Sequence, residues 1–280
     1  MRLRNVWFSG SSSLSSRLAC VTLAGLTLAA SVTACGGGGS SAPAESAAPA
    51  AAPAGQRVDA ATAGTLTGMV MIEGTVPRNE PIRMNADPVC TKEATGPQVQ
   101  ETYTVGADGK SLGNVFVYVK DGLGNYVYDA ATTPMTIDQK QCRYHPHVFG
   151  MRVGQPLDIL NSDPTLHNIH AIPMNNAEFN NGQPLQGMKM THTFDKPEVM
   201  VPFKCDVHGW MNAYVGVLDH PYFATTAADG KFSIATVPAG TYTVEAWHEK
   251  LGPMTQSVTI GASETKDITF TFMAPAAASN

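Results

Sequence analysis

Apolar and polar residues alternate with a period of two over short runs, and turn residues punctuate them. Thr65–Gly74, Asn114–Lys120, His147–Val153, Pro156–Asn161, Glu198–Lys204 and Asn212–Leu218 are rich in β-branched and aromatic side chains. Asp-Gly, Gly-Gln-Pro and Asn-Ser-Asp-Pro breaks separate them. Period-two patterning between such breaks predicts half-buried strands. No long stretch carries a helical stripe and no internal repeat is present. The pattern therefore predicts an all-β chain whose strands pack as a β-sandwich with Greek-key connections.

The two ends depart from this rhythm. Arg2, Arg4 and Arg17 precede an uncharged apolar run, Leu18–Ala30, that ends in Val32-Thr33-Ala34-Cys35. The run is short for a membrane-spanning helix and closes on small residues, so 1–34 reads as an export signal. Small residues followed by Cys resemble a bacterial lipobox, which implies cleavage before Cys35 and lipidation of its thiol; an ordinary signal peptide cut nearby is the alternative. By the same resemblance, Gly36 after the cysteine favours retention at the outer membrane, on its periplasmic side. Residues 35–63, mostly Gly, Ser, Ala and Pro, read as a flexible tether with too little apolar surface to fold.

Composition narrows the function classes. Of 280 residues 43% are hydrophobic, enough for more than one core. The net charge of −5 falls to about −8 once the three arginines of the signal are removed, leaving 15 Lys+Arg against 23 Asp+Glu. With no basic patch to displace phosphate counterions, nucleic acid is not an expected partner. The five cysteines are Cys20, Cys35, Cys90, Cys142 and Cys205. Cys20 leaves with the signal and Cys35 takes the lipid. Of the remaining three, two can pair in an oxidising compartment and one thiol is left over.

The leftover thiol has a chemical setting. Val201-Pro-Phe-Lys-Cys205-Asp-Val-His208-Gly-Trp-Met211 puts a thiolate, an imidazole and a thioether on one loop between two strands, and His167-Asn168-Ile169-His170 lies upstream. Two imidazoles and a thiolate with a weak axial Met suit an ion that cycles between Cu(I) and Cu(II). The His-Asn-x-His segment followed by Cys-x2-His-x2-Met resembles the cupredoxins, and the amicyanins most closely, across about Leu112–Asp219. Gly187-Met188-Lys189-Met190 echoes the same group. That resemblance implies a cupredoxin Greek-key sandwich holding one type 1 copper by His167, Cys205, His208 and Met211, with His167 rather than His170 as the first ligand. It also implies that Asn168 stiffens the ligand loop by hydrogen bonding, and that Trp210 joins an apolar patch around the exposed edge of His208 where a redox partner docks; simple core packing of Trp210 is the equal alternative. The partner would be a c-type cytochrome or another oxidoreductase.

A second resemblance lies downstream. Ala228-Asp229-Gly230, Lys231-Phe232-Ser233-Ile234, Pro238-Ala239-Gly240 and Thr241-Tyr242-Thr243-Val244-Glu245-Ala246 form a turn–strand–turn–strand unit. It resembles the carboxypeptidase regulatory-like, transthyretin-type β module, which implies a small second sandwich without chemistry of its own. The strand at 64–74 resembles the opening strand of that module, so it is expected to pair with the C-terminal unit across the copper domain. The expected organisation is an N-terminal β extension (64–111), a cupredoxin domain (112–219) and the module (220–273), with Trp247 and His248 structural in the last.

Other readings compete. Cys205 could be an inert buried thiol with Met211 as core filler, and zinc fits less well because Met is rarely its ligand. Cys142-Arg-Tyr-His145-Pro-His147 repeats the Cys-x2-His spacing but precedes His167, so Cys142 is read as the disulfide partner of Cys90, with His145 and His147 at the surface or in turns. His170 and His192 are expected to be exposed, with a weak second Cu(II) site among them as an outside reading. The leading function is a single-electron carrier. The alternative is copper storage or delivery, which Met188, Met190 and His192 keep open, and a scaffold with a vestigial copper fold is a third. An enzyme is not expected, because no catalytic triad, carboxylate pair or phosphate loop stands out and a closed ligand set leaves no open position for substrate.

Overall fold

A computed structural model describes residues 55–276. The signal segment 1–34, the lipidation site Cys35 and the tether as far as residue 54 lie outside the described residues. Two β-sandwiches make up the rest. The first packs a five-stranded sheet, in the order Phe179–Gln183, His167–Ala171, Glu198–Lys204, Asn212–Leu218 and Val148–Arg152, against a four-stranded one, Lys189–His192, Leu157–Asn161, Met135–Lys140 and Arg143–His145. The second packs Lys231–Val237, Gly64–Glu73 and Thr265–Met273 against Phe223–Thr225, Phe116–Asp121, Gly240–His248 and Gly252–Ile260. All six runs singled out by their alternation are strands. The six-residue Pro88–Glu93 is the α-helix among the described residues.

Alternation sets the faces. Along Gly64–Glu73 every second residue is buried, so Leu66, Val70 and Ile72 enter the second core. This strand runs parallel to Thr265–Met273 and antiparallel to Lys231–Val237, and so closes the second sandwich with the first strand of the folded body. Gly68 permits it: a Cβ there would lie 2.2 Å from the Ile268 carbonyl oxygen.

Three apolar clusters divide the interior. One fills the first sandwich around Ile137, Tyr144, Ile159, Phe194 and Phe203, and a second fills the other around Leu66, Val117, Phe232, Val244 and Phe270. The third joins them through Phe116, Tyr118, Val148, Met200 and Leu218, with Trp247 packed against it. Its centre is the fully buried Phe116 ring. Gly150 and Gly216 face each other across paired strands of the first sandwich, and a Cβ on either would come within 2.4 Å of Phe223 or Phe116. Two glycines thus make the flat seat on which an aromatic ring of the neighbouring sandwich rests.

Two boundaries differ from expectation. Phe116–Asp121, placed by sequence in the 112–219 domain, instead pairs with Phe223–Thr225 and Gly240–His248 of the second sandwich. Its run Phe116-Val-Tyr-Val119 is buried on both faces, so it carries no polar side to tell which core it joins. The tether also ends early. Gln56 exchanges backbone bonds with Asn125 and Val127, and Val58 packs against the second core, so residues 55–63 are part of the folded body.

The 64–111 extension is likewise divided. After its first strand, residues 80–101 cross to the ligand-bearing end of the first sandwich. The Cys90–Cys142 disulfide, an Arg143–Gln98 side-chain hydrogen bond (3.1 Å), buried Met84 and an Arg143–Glu101 ion pair at 2.9 Å hold them there.

Candidate metal centre

The loop between Glu198–Lys204 and Asn212–Leu218 is closed on itself. The Cys205 N–H donates to the Met211 carbonyl (3.2 Å) and the Met211 N–H to the His208 carbonyl (2.9 Å). The His208 N–H donates to the Cys205 sulfur at 3.3 Å. Strand pairing ends at Lys204 opposite Asn212, so Cys205 and Met211 are the first residues past the ladder. His167 opens its own strand, which pairs beside the Cys205 strand through Lys204 and His170.

The geometry brings three of the four expected ligands together. His167 Nδ1 lies 2.9 Å from His208 Nδ1, and Cys205 Sγ lies 4.0 Å from His208 Nδ1. One donor atom from each of His167, Cys205 and His208 falls within 4.8 Å of the others, and all three residues are buried. Met211 is 2% exposed and sits in the same core cluster. Asn168 bridges the two segments: its Oδ1 accepts from the Asp206 N–H (2.7 Å) and lies 3.2 Å from the Cys205 sulfur.

Each imidazole is oriented by a carboxylate that the sequence reading missed. His167 Nε2–H donates to Asp163 Oδ2 at 2.9 Å, and His208 Nε2–H donates to Asp87 Oδ2 at 3.0 Å. With the ring protons on Nε2, both Nδ1 lone pairs point at one another. Two lone pairs so disposed repel unless a proton or a metal cation lies between them, and a soft thiolate beside two imidazoles is the donor set that copper takes. Asp163 also holds the hairpin turn that carries Cys142. Gln141 (φ 55°) and Cys142 (φ 53°) are both left-handed, a conformation costing about 1–2 kcal/mol per non-glycine residue. The Asp163 carboxylate takes both of their N–H groups at 2.7 Å.

Electrostatics follow from burial and contacts. Burial acts to raise the Cys205 pKa, but the neighbouring His167 and His208 imidazoles outweigh it and bring the thiol down to about 6. A thiolate therefore predominates at neutral pH, the form that binds metal. Burial likewise opposes the charge on His167, and Asp163 and Cys205 overcome it, so its pKa lies above the ordinary value.

Several expectations change here. The edge of His208 is not exposed: the residue is 3% accessible, with Asp87 and the Cys90 sulfur (3.6 Å) against Nε2. Trp210 packs on His208 with ring centroids 5.0 Å apart and donates its Nε1–H to the Cys142 carbonyl at 2.9 Å, so it braces the cap rather than rimming an open patch. His147 is buried, not superficial; its Nε2–H donates to Glu249 at 2.7 Å, a partner 102 residues away. His145 is exposed. His170 is largely buried between Asp206 and Glu178, and His192 is half-buried against Phe179. They stand on strands of opposite sheets. Two further groups of possible ligands, Asp87–Cys90–His208 and Cys142–Asp163–His167, use sulfurs already spent in the disulfide. Both overlooked acids left a trace in sequence: Asp163 is four residues before His167, and Asp87-Pro88 is a helix N-cap signature.

Comparison with known proteins adds the following. The carboxypeptidase regulatory-like domain profile matches residues 211–273. No curated protein sequence matches. Solved structures similar to this chain include a copper-containing nitrite reductase from Thermus scotoductus SA-01 (20% identity, 32% of this chain and 24% of that one, TM-score 0.29). The P96G mutant of amicyanin is 17% identical over 36% of this chain and 97% of that one (TM-score 0.28). A purple cupredoxin from Nitrosopumilus maritimus is 25% identical over 30% and 98% (TM-score 0.26). Global likeness at this level leaves the weight on side-chain geometry.

Proposed function

We propose that this chain is a type 1 copper protein that carries single electrons, with the ion held by His167, Cys205, His208 and Met211. The observation that carries the reading is the convergence of two imidazole Nδ1 atoms and one low-pKa thiol inside a sandwich core. Copper bound there would supply a one-electron couple, with one polarisable thiolate beside two imidazoles and a thioether. The residues around it do the rest. Asp163 and Asp87 hold each ring with Nδ1 inward, Asn168 fixes the Cys205 loop to the His167 strand, and the buried core keeps water from the donor atoms. Ligands fixed by strands and a closed loop move little when charge changes, which suits rapid electron exchange.

A closed, buried donor set favours a retained ion over delivery. Met190, which would serve a delivery surface, packs against the first core. A saturated site also leaves no position for substrate, so we infer no catalysis. The sequence pattern at 1–35 supports export with a lipid on Cys35, the periplasmic face of the outer membrane as the location, and a c-type cytochrome or other oxidoreductase as the electron partner.

The test is direct. Cu(II) added to the lipid-free protein should give an intense blue thiolate-to-copper band, and Cys205→Ala should abolish it. Copper binding without that band would favour storage or delivery.

A further inference from the structure

The outer edge of His208 is enclosed by a part of the chain that lies outside the first sandwich. We propose that Asp87, presented on a disulfide-stapled cap, is a positioning residue for His208 that fixes its tautomer and biases the site toward the more highly charged copper ion. This rests on the copper reading above.

The carboxylate is held, not merely near. Its Oδ1 accepts from the Val89 and Cys90 N–H groups at 2.7 and 3.3 Å, as the N-cap of Pro88–Glu93. Its Oδ2 faces His208 Nε2 at 3.0 Å and accepts from the Thr165 hydroxyl at 3.1 Å, two residues before His167. Both oxygens are therefore committed, one to the cap and one to the ligand end of the sandwich. The cap is itself pinned. Cys90 is bonded to Cys142, whose N–H meets Asp163 and whose carbonyl takes the Trp210 indole. One disulfide thus ties the helix carrying Asp87 to the hairpin that Asp163 grips. Its two oxygens face N–H and O–H donors, the Val89 and Cys90 amides, the Thr165 hydroxyl and the His208 ring, which suits an ionised carboxylate.

A fixed carboxylate on Nε2 does two things. It keeps the ring proton there, so the Nδ1 lone pair is always available to the metal. It also places a negative charge one ring away from the ion, which favours Cu(II) over Cu(I) and strengthens the imidazole as a donor. Water at an open edge would do neither.

The test uses the full chain loaded with copper, and the variants Asp87→Asn and Asp87→Ser. Both replacements cap helices about as well as Asp, so the cap should survive, which the melting temperature of the copper-free protein checks. Asn removes the charge; Ser is in addition too short to reach the ring. Both should stay blue. The reduction potential should rise, with Asp87→Asn shifting the balance about tenfold toward Cu(I), or about 59 mV for one electron. Cu(II) affinity should fall about 10- to 100-fold. In the Cu(I) protein, the His208 Nε2 proton should exchange slowly by NMR in the parent and quickly in Asp87→Ser. Blue variants with the parent potential, affinity and exchange rate overturn the proposal while leaving the copper reading intact. A parent protein without the blue band overturns both.

Discussion

The two sandwiches distribute their buried polar groups differently. The second is filled mainly by aliphatic and aromatic side chains from both sheets, with His220, Glu245 and His248 as separate buried polar residues. The first has such a core too, but its ligand end adds buried Gln139, Asn161, Asp163, His167 and Gln183, each at most 2% exposed. Buried polar groups are costly unless bonded, and these are bonded in series, with the Gln139 Oε1 left without a partner. Asn161 Nδ2 donates to the Thr165 and Gln183 carbonyls at 2.9 and 2.8 Å, and Gln183 Nε2 donates to the Ile159 carbonyl at 3.1 Å. The network is concentrated at the end of the first sandwich where His167, Cys205 and His208 converge.

The sharpest way to break the comparison is at the junction. Phe116→Ala should cost about 3–5 kcal/mol, as for other fully buried large aromatics, and should also loosen the coupling across Gly150 and Gly216. Calorimetry of the parent should give one transition that copper moves upward, by about 4 kcal/mol of stability at a free ion concentration 1,000 times Kd. In Phe116→Ala two transitions are expected, and copper should move one of them. A single transition that moves as a whole would mean the sandwiches are coupled elsewhere.

The same residue marks where sequence reading stopped. Strands with one wet face announced themselves, and the Cys205–His208–Met211 spacing pointed to one loop because it is local. Phe116-Val-Tyr-Val119 is buried on both faces and adjoins the first sandwich in sequence, so adjacency pointed to the wrong core. Asp87 acts on a ring 121 residues away and His147 on a carboxylate 102 residues away; no periodicity encodes such pairs. Residues 55–63 read as tether because they carry few large apolar side chains, whereas a few backbone bonds and one valine suffice to dock them.

Acid should distinguish the sandwiches next. His248, 1% exposed in the second, has its pKa lowered by burial from 6.5 to about 4. The unfolded chain therefore binds this proton first as pH falls. Stability from the neutral form is full above about pH 6.5 and is lost progressively down to pH 4. The linkage amounts to about 3 kcal/mol. Urea titrations of the copper-free protein at several pH values should show His248→Asn with a shallower loss over that window. Buried His220, also lowered to about 4, adds to the slope in both proteins. An identical slope in variant and parent would show that His248 binds its proton equally well in the folded and unfolded chain.

Within the first sandwich, Met211→Gln should act more gently. A harder axial donor favours Cu(II), so the potential should fall while the blue band persists, because the thiolate and both imidazoles remain. Burying an amide where a thioether was 2% exposed should cost about 1–3 kcal/mol if it finds no partner. Voltammetry and thermal melting read the two effects separately, and loss of colour would show that Met211 does more than complete the shell.

The smallest effect is expected where the chain enters the second sandwich. Arg57 meets Asp129 at 2.9 Å, but their side chains are 72% and 81% exposed, and water screens a pair so placed. Arg57→Ala should leave the melting temperature unchanged within error. What docks residues 55–63 is the backbone exchange of Gln56 with Asn125 and Val127 together with the packing of Val58. The charge can therefore be removed without freeing the segment, and limited proteolysis should spare 55–63 equally in parent and variant. Rapid cleavage there in Arg57→Ala alone would make the ion pair the anchor. Rapid cleavage in both would return the segment to the tether and leave Gly64 as the true edge of the second sandwich.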